Sequence, residues 1–115
     1  VQSALKAAGK PWEKAKAFDG SAVVSREFVP IEELGGDIQN LTFSLLKNGE
    51  TVQSGSTAEM LFPVDALIAN VSKYSTWKTG DLLFTGTPAG VGPVQSGDRL
   101  EGRLEGRTMF EVDVV

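Results

Sequence analysis

The stretch Leu41-Thr42-Phe43-Ser44-Leu45-Leu46-Lys47-Asn48-Gly49-Glu50 decides the class of fold. Within it, three apolar side chains alternate with two hydroxyl side chains before the pair Asn48-Gly49. Alternation with a period of two is typical of a β-strand that buries one face. Asn and Gly both tolerate positive φ, and together they favour a two-residue hairpin turn. The sequence therefore predicts a strand over residues 41–47 and a partner strand over residues 51–57.

Further strands are predicted on both sides of this hairpin. Short apolar or alternating runs separated by turn residues occupy residues 22–29, 82–85, 99–104 and 110–114. The run Leu82–Thr85 is apolar enough to be buried on both faces. The chain must turn between the last two strands, either at Glu105-Gly106 or at Gly106-Arg107. The total is five or six short strands.

Two helices complete the predicted secondary structure. Apolar side chains fall at i, i+3, i+4 and i+7 within Pro63–Tyr74, at Val64, Leu67, Ile68 and Val71. A shorter helix is predicted over Val1–Ala8 and ends at Gly9. Many strands with few helices indicate an α+β, mainly β architecture.

The composition excludes several classes of function. The chain has 115 residues, which suits one domain at most, and its net charge of −4 gives no basic footprint for nucleic acid. No apolar run approaches the roughly 20 residues of a membrane-spanning helix. Because cysteine and histidine are absent, a disulfide, a thiolate zinc site and a Ser-His-Asp triad are excluded within this chain. A metal here would need oxygen ligands, as Mg²⁺, Mn²⁺ or Ca²⁺ do, but no acidic pair has metal-ligand spacing.

A glycine-rich loop is the clearest candidate for a functional site. Thr85-Gly86-Thr87-Pro88-Ala89-Gly90-Val91-Gly92-Pro93 follows the strand predicted over residues 82–85. Three glycines allow the backbone to approach a ligand and to present N–H groups to an anion, and Thr87 adds a hydroxyl donor. The spacing matches neither a P-loop nor a dinucleotide-binding motif. From the residues alone, the loop is either an anion cradle or a wide turn between strands.

Lys16 is the second candidate. It lies among Ala15, Ala17 and Phe18, and a lysine in a partly apolar setting can hold an oxyanion or an enolate. Lys14 and Lys16 can equally be solvated surface charges.

An ordered set of motifs resembles the fumarylacetoacetate hydrolase family along essentially the whole chain. The set consists of Val1-Gln2, Lys10–Asp19, Asn48-Gly49-Glu50 with Thr57–Met60, Gly80-Asp81 through Thr85–Gly92, and Ser96-Gly97-Asp98. The resemblance implies a mixed-sheet β-roll of which residues 1–115 are the C-terminal part of one catalytic domain. It also implies a homodimer and a divalent metal, normally Mg²⁺ but also Mn²⁺ or Ca²⁺. The family's metal ligands precede the segment that matches Val1-Gln2, so they are expected upstream of these 115 residues and none within them.

The resemblance assigns roles to four positions. Lys16 matches the lysine that binds the substrate's oxygen and stabilises developing negative charge, and is the expected catalytic residue. Gln2 matches a glutamine that contacts substrate, and Thr87 with Gly86 matches the group that holds the substrate carboxylate. Gln2 can also be an ordinary helix-surface residue, and Thr87 a turn former before Pro88.

The implied activity is a metal-dependent reaction on small 2-oxo acids through an enolate. C–C hydrolysis of an acylpyruvate is the first expectation, and the alternatives are oxaloacetate decarboxylation or tautomerisation, or isomerisation of a 2-hydroxy-dienoate. A hypothesis of another class is a non-catalytic β-rich binding module. The expected partner is a small 2-oxo acid, with no nucleic acid and no membrane. The expected compartment is the cytoplasm, or the mitochondrial matrix in a eukaryote.

Overall fold

A four-stranded antiparallel sheet forms the centre of the computed structural model, which describes all residues 1–115. In chain order its strands are β1 (Thr42–Lys47), β2 (Glu50–Ser56), β3 (Arg99–Leu104) and β4 (Arg107–Asp113). The spatial order is β2-β1-β3-β4, so two local hairpins are joined along β1 and β3, and every pairing is antiparallel. The predicted α+β, mainly β class is confirmed.

Both hairpins close through two residues with positive φ. Asn48 and Gly49 have φ values of 52° and 85°, and Glu105 and Gly106 have values of 49° and 76°. Of the two turns considered between the last strands, the chain therefore uses Glu105-Gly106. The Asn48 side chain also accepts a hydrogen bond from the backbone N–H of Arg99 at 2.8 Å, which ties the first hairpin to the start of β3.

The helices are short and lie outside the sheet. They are α1 (Gln2–Ala7), α2 (Glu13–Lys16) and α3 (Val64–Val71), with 3-10 turns at Ile31–Leu34 and Thr57–Glu59. The α3 helix begins at Val64, one residue later than predicted, because Pro63 is its extended N-cap, and it ends at Val71, before the predicted Tyr74. The Gln39 amide fixes its start, because it accepts from Val64 N at 2.6 Å and donates to Thr57 O at 3.1 Å.

Two predicted strands do not form. Residues 22–29 and 82–85 join no ladder of the sheet. Leu82 and Phe84 are 48% and 65% exposed, so the prediction that this run is buried on both faces is wrong. An apolar run shows that a segment can be buried, but a strand also needs a partner for its N–H and C=O groups. Within this chain neither segment has one.

The core is small, and a large apolar surface stays open. Only Leu41, Leu46, Val64 and Gly102 are buried. A Cβ at Gly102 would lie 2.2 Å from the ring of Phe110, so the missing side chain lets that ring lie across β3. The larger exposed apolar side chains include Phe18, Phe28, Leu61, Phe62, Tyr74, Phe84 and Val91.

A carboxylate links the β3–β4 turn to the first residue of β1, and we expect it to contribute to acid sensitivity. The Glu105 carboxylate accepts hydrogen bonds from the Thr42 backbone N–H and, at 2.9 Å, from the Thr42 hydroxyl. These two contacts, the backbone one first, lower the pKa of Glu105. The ionised form therefore stabilises the fold at neutral pH. That contribution is lost as the pH falls below the ordinary glutamate range, about pH 4, and through the lowered pKa.

Glu105→Gln tests this contribution. We expect the variant to be less stable than the wild type at pH 7, with a difference that shrinks as the pH falls through the lowered pKa, because the wild-type carboxylate then becomes protonated. Urea unfolding of both proteins at several pH values measures the difference. Glu50→Gln removes an exposed carboxylate that has no side-chain partner and is the matched control. A difference in the free energy of unfolding between Glu105→Gln and the wild type that does not change with pH would contradict this role of the Glu105 carboxylate.

Candidate functional site

The glycine-rich loop packs directly against the edge strand β2. Gly90 has a φ of 96°, and a Cβ on it would lie 2.3 Å from the carbonyl oxygen of Val52. Pro88 lies over Gly55, where an added Cβ would be 3.1 Å from the proline Cβ. Both close approaches depend on a missing side chain, one on the loop and one on the strand. The glycines at these two positions therefore dock the loop on the sheet.

A β-bulge shapes the strand where the loop docks. Leu45 pairs with Gln53 and Leu46 pairs with Thr51, so Val52 has no partner on β1. Bulges of this kind are common at sheet edges, where they re-aim side chains. The half-buried Gln53 points its amide at the loop, and its Nε2 lies 3.0 Å from Thr87 Oγ1.

Gly86 and Thr87 lie where two cavities meet. One cavity of about 560 Å³ is walled by sheet residues such as Phe43 and Phe110 and by the Leu82–Phe84 segment. The other, of about 490 Å³, is walled by residues around Met60 and Leu67. Gly86, Thr87, Pro88 and Phe43 line both. Thr87 is exposed, so its hydroxyl can reach a ligand in either space.

The first cavity combines apolar walls with few polar groups. Arg103 is the one charged residue on its wall, and its Nε donates to Glu101 at 2.7 Å. That bond and the charge of Arg103 lower the pKa of Glu101, with the Thr108 hydroxyl as a further donor. The guanidinium already has an anionic partner within the sheet. The Thr87 hydroxyl, the Ser44 hydroxyl and the loop N–H groups remain as donors for a small anion, and the apolar walls suit the remainder of a ligand.

The other two predicted site residues lie on the short helices. Gln2 is the first residue of α1 and Lys16 the last of α2, and both are exposed. Neither side chain makes a hydrogen bond, and neither lines the two cavities that meet at Thr87. The structure thus brings Gly86 and Thr87 together and does not bring Lys16 or Gln2 to them. The roles of all four residues stay predictions.

The chain offers no metal site of its own. No group of three or more His, Cys, Asp or Glu side chains is arranged to hold a metal ion. The residues present therefore do not fit a divalent metal on their own. No helix is both long enough and apolar enough to cross a bilayer.

Gln53 is not among the site residues predicted from the sequence, although the sequence contains a signal for it. Gln53 faces Leu45 across the β1–β2 ladder, on the apolar side of a strand. A polar side chain at such a position needs a partner, which the loop provides. Finding that partner requires the register of the hairpin, and the bulge at Val52 changes the register that alternation alone would give.

Comparison with known proteins identifies the family. The family model described as the C-terminal region of fumarylacetoacetate (FAA) hydrolase matches residues 1–115. The chain belongs to the fumarylacetoacetate hydrolase family. It is 52% identical over 109 residues to oxaloacetate tautomerase YcgM of Escherichia coli (strain K12), covering 95% of this chain and 49% of that protein. It is 43% identical to the mitochondrial oxaloacetate tautomerase FAHD1 of Bos taurus, covering 92% and 47%.

Solved structures of fumarylacetoacetate hydrolase family members share this fold. A family protein from Yersinia pestis CO92 matches with a TM-score of 0.90 and 47% identity, over 99% of this chain and 53% of that one. The fumarylpyruvate hydrolase of Pseudomonas aeruginosa, solved with Mn²⁺ and pyruvate, matches with a TM-score of 0.89 and 34% identity, over 100% and 48%. The chain spans about half the length of the relatives it matches.

Proposed function

We propose that the whole protein is a metal-dependent enzyme that tautomerises oxaloacetate, with the Gly86–Thr87 segment holding a carboxylate of the substrate. The observation that carries the proposal is the exposed Thr87 hydroxyl, fixed by Gln53 where two cavities meet. A hydroxyl and backbone N–H groups suit a carboxylate, since each can donate a hydrogen bond to an anionic oxygen. The names of the two relatives above favour oxaloacetate as the substrate.

Lys16 and Gln2 complete the proposed site. Lys16 binds the enolate oxygen and opposes the negative charge that develops when the proton leaves C3 of oxaloacetate. Gln2 contacts the substrate beside it. A divalent metal, Mg²⁺ or the Mn²⁺ seen in the Pseudomonas relative, supplies a Lewis acid when bound. We propose that the ligands of that metal come from another part of the whole protein, as the resemblance to the family implies.

A second candidate reaction is hydrolysis of an acylpyruvate at a C–C bond. The apolar walls formed by Phe43 and Leu82–Phe84 favour it, because they could hold an acyl group beyond the 2-oxo acid. The fumarylpyruvate hydrolase among the structural relatives is consistent with this reaction. Two assays of the whole protein with Mg²⁺ or Mn²⁺ separate the candidates. Tautomerisation consumes the ultraviolet absorbance of the oxaloacetate enol, whereas hydrolysis releases pyruvate from acetylpyruvate.

We further propose a homodimer that acts in the cytoplasm, or in the mitochondrial matrix of a eukaryotic source. Light scattering of the whole protein tests the oligomeric state.

Thr87→Val tests the carboxylate site. A hydrogen bond to a charged group contributes about 1.5–3 kcal/mol, so we expect KM for oxaloacetate to rise roughly 10- to 100-fold. Steady-state kinetics of the whole protein measure it, and Thr87→Ser, which keeps the hydroxyl, should remain within a few-fold of the wild type. Thr79→Val replaces an exposed threonine that makes no side-chain hydrogen bond and should leave KM unchanged. An unaltered KM in Thr87→Val would remove Thr87 from the site.

A further inference from the structure

The Thr87 hydroxyl has one hydrogen-bond partner, the side-chain amide of Gln53. The Gln53 Nε2 lies 3.0 Å from Thr87 Oγ1, 3.2 Å from Pro88 O and 3.3 Å from Ala89 O. Backbone carbonyl oxygens only accept hydrogen bonds, so the amide nitrogen and not its oxygen must face the loop. The two hydrogens of Nε2 are shared among three acceptors. The orientation of the amide is therefore fixed by the loop backbone.

This orientation decides how the Thr87 hydroxyl can act. A hydroxyl has one hydrogen to donate and lone pairs that accept. Because Gln53 donates to Oγ1, the hydroxyl accepts in that contact and keeps its own hydrogen for another partner. The same amide also lies within hydrogen-bond distance of the Pro88 and Ala89 carbonyl oxygens, which are acceptors of the same loop. That hydrogen is therefore available to a ligand that places a hydrogen-bond acceptor in the cavity.

The position of Gln53 is itself determined by packing. It follows the bulge at Val52, and the loop approaches closely enough that a Cβ on Gly90 would lie 3.1 Å from the Gln53 Cγ. Gln53 is half-buried, whereas Thr87 is exposed. The strand thus presents the donor, and the loop presents the hydroxyl on the side that faces the ligand space.

We infer that Gln53 is a positioning residue that directs the Thr87 hydroxyl hydrogen toward a bound carboxylate, so that the loop selects an anionic acceptor. This inference rests on the proposed function, because it specifies how Thr87 recognises the substrate. The Gln53 side chain also lines the first cavity, and we assign its effect on binding to the orientation of the Thr87 hydroxyl.

Two substitutions with side chains of similar length distinguish two roles for Gln53. In one role Gln53 orients the Thr87 hydroxyl, and in the other it only holds the loop against β2. Gln53→Met removes the donor and leaves the Thr87 hydroxyl free to turn. Gln53→Glu places an acceptor in the same position, and this acceptor takes the hydroxyl hydrogen. If Gln53 only docks the loop, both changes should weaken pyruvate binding in parallel with the fall in the thermal unfolding midpoint, because both lose the donor to the Pro88 and Ala89 carbonyl oxygens. If it orients the hydroxyl, Gln53→Glu should weaken binding roughly tenfold or more, and Gln53→Met by less.

Each substitution is then repeated in a Thr87→Val background. Calorimetric titration of the whole protein with pyruvate in the presence of Mn²⁺ gives Kd for every variant, and thermal unfolding midpoints report folding. With the hydroxyl gone, we expect both Gln53 substitutions to change Kd by less than about twofold, because coupled residues lose their effect together. Gln95→Glu, at an exposed glutamine, controls for the added charge.

The outcomes distinguish a failure of the positioning role of Gln53 from a failure of the proposed function. A Gln53→Glu effect that persists in full without the Thr87 hydroxyl would show charge repulsion alone and overturn the inference. Equal effects of Gln53→Glu and Gln53→Met would assign Gln53 to loop docking and overturn it too. If Gln53→Glu fails to fold, Gln53→Met is compared in the wild-type and in the Thr87→Val background. An effect of Gln53→Met on Kd that is equally large in both backgrounds overturns the inference. A wild-type protein that does not bind pyruvate overturns the proposed function itself.

Discussion

Lys16→Ala is expected to lower kcat for oxaloacetate tautomerisation by about 10²–10³-fold while leaving the fold intact. The proposed reaction passes through an enolate, and Lys16 is the residue assigned to oppose its charge. Removing a donor aimed at charge that develops in the transition state lowers kcat, whereas removing a ground-state contact raises KM. The side chain is exposed and makes no hydrogen bond or ion pair, so its loss should not change the free energy of unfolding.

The neighbouring lysine of the same helix provides the control. Lys14 is also exposed and also lies in α2 (Glu13–Lys16), so Lys14→Ala removes an equal charge two residues away. Steady-state kinetics and urea unfolding of both variants of the whole protein give the comparison. Lys16→Arg keeps the charge and should retain part of the activity. Near-normal turnover of Lys16→Ala would remove Lys16 from the mechanism, and equal losses in both variants would indicate a general electrostatic effect.

The Lys16 experiment also bears on the geometry of the site. Lys16 does not line either cavity that meets at Thr87. A large and specific effect would therefore place the Lys16 ammonium at the reacting atoms in the working enzyme. In the structure of these 115 residues, Lys16 lies on neither cavity wall.

The hairpins could be predicted from the sequence because their determinants are local. Asn48-Gly49 and Glu105-Gly106 supply the positive φ values, and the flanking residues alternate. Residues 22–29 and 82–85 carry similar apolar patterns but form no strand. Strand formation there depends on a partner distant in sequence, and no local pattern reports whether one is present.

The predicted parts of the site also depend on local sequence features, whereas the missed part depends on a contact between residues distant in sequence. The loop containing Gly86 and Thr87 was evident because glycine content and hydroxyl residues are local features. The contact between Gln53 and Thr87 joins residues 34 positions apart. It depends on the bulge at Val52 and on a cross-strand register, which a single sequence does not specify. The donor that fixes the hydroxyl could therefore be found only from the structure.

Gly90→Ala is expected to have the largest effect on stability among single changes in the loop, and to weaken binding as well. The new Cβ would lie 2.3 Å from the Val52 carbonyl oxygen, a backbone atom that cannot rotate away. The φ of 96° adds strain for any residue with a side chain. Together these effects should lower the free energy of unfolding by about 2–4 kcal/mol, or lift the loop from β2.

Gly92→Ala in the same loop tests whether the Gly90 effect is specific. A Cβ on Gly92 meets nothing within 4 Å, and its φ is not in the left-handed region, so that variant should match the wild type. Lifting the loop at Gly90 would separate Thr87 from Gln53, and pyruvate binding should then weaken at least as much as in Gln53→Met, because the hydroxyl loses the same donor. Urea unfolding and calorimetric titration of both variants measure the two effects. Equal behaviour of Gly90→Ala and Gly92→Ala would show that the close contact with Val52 does not dock the loop. A loss of stability at Gly90 without a loss of binding would show instead that the Thr87 hydroxyl does not depend on the strand for its orientation.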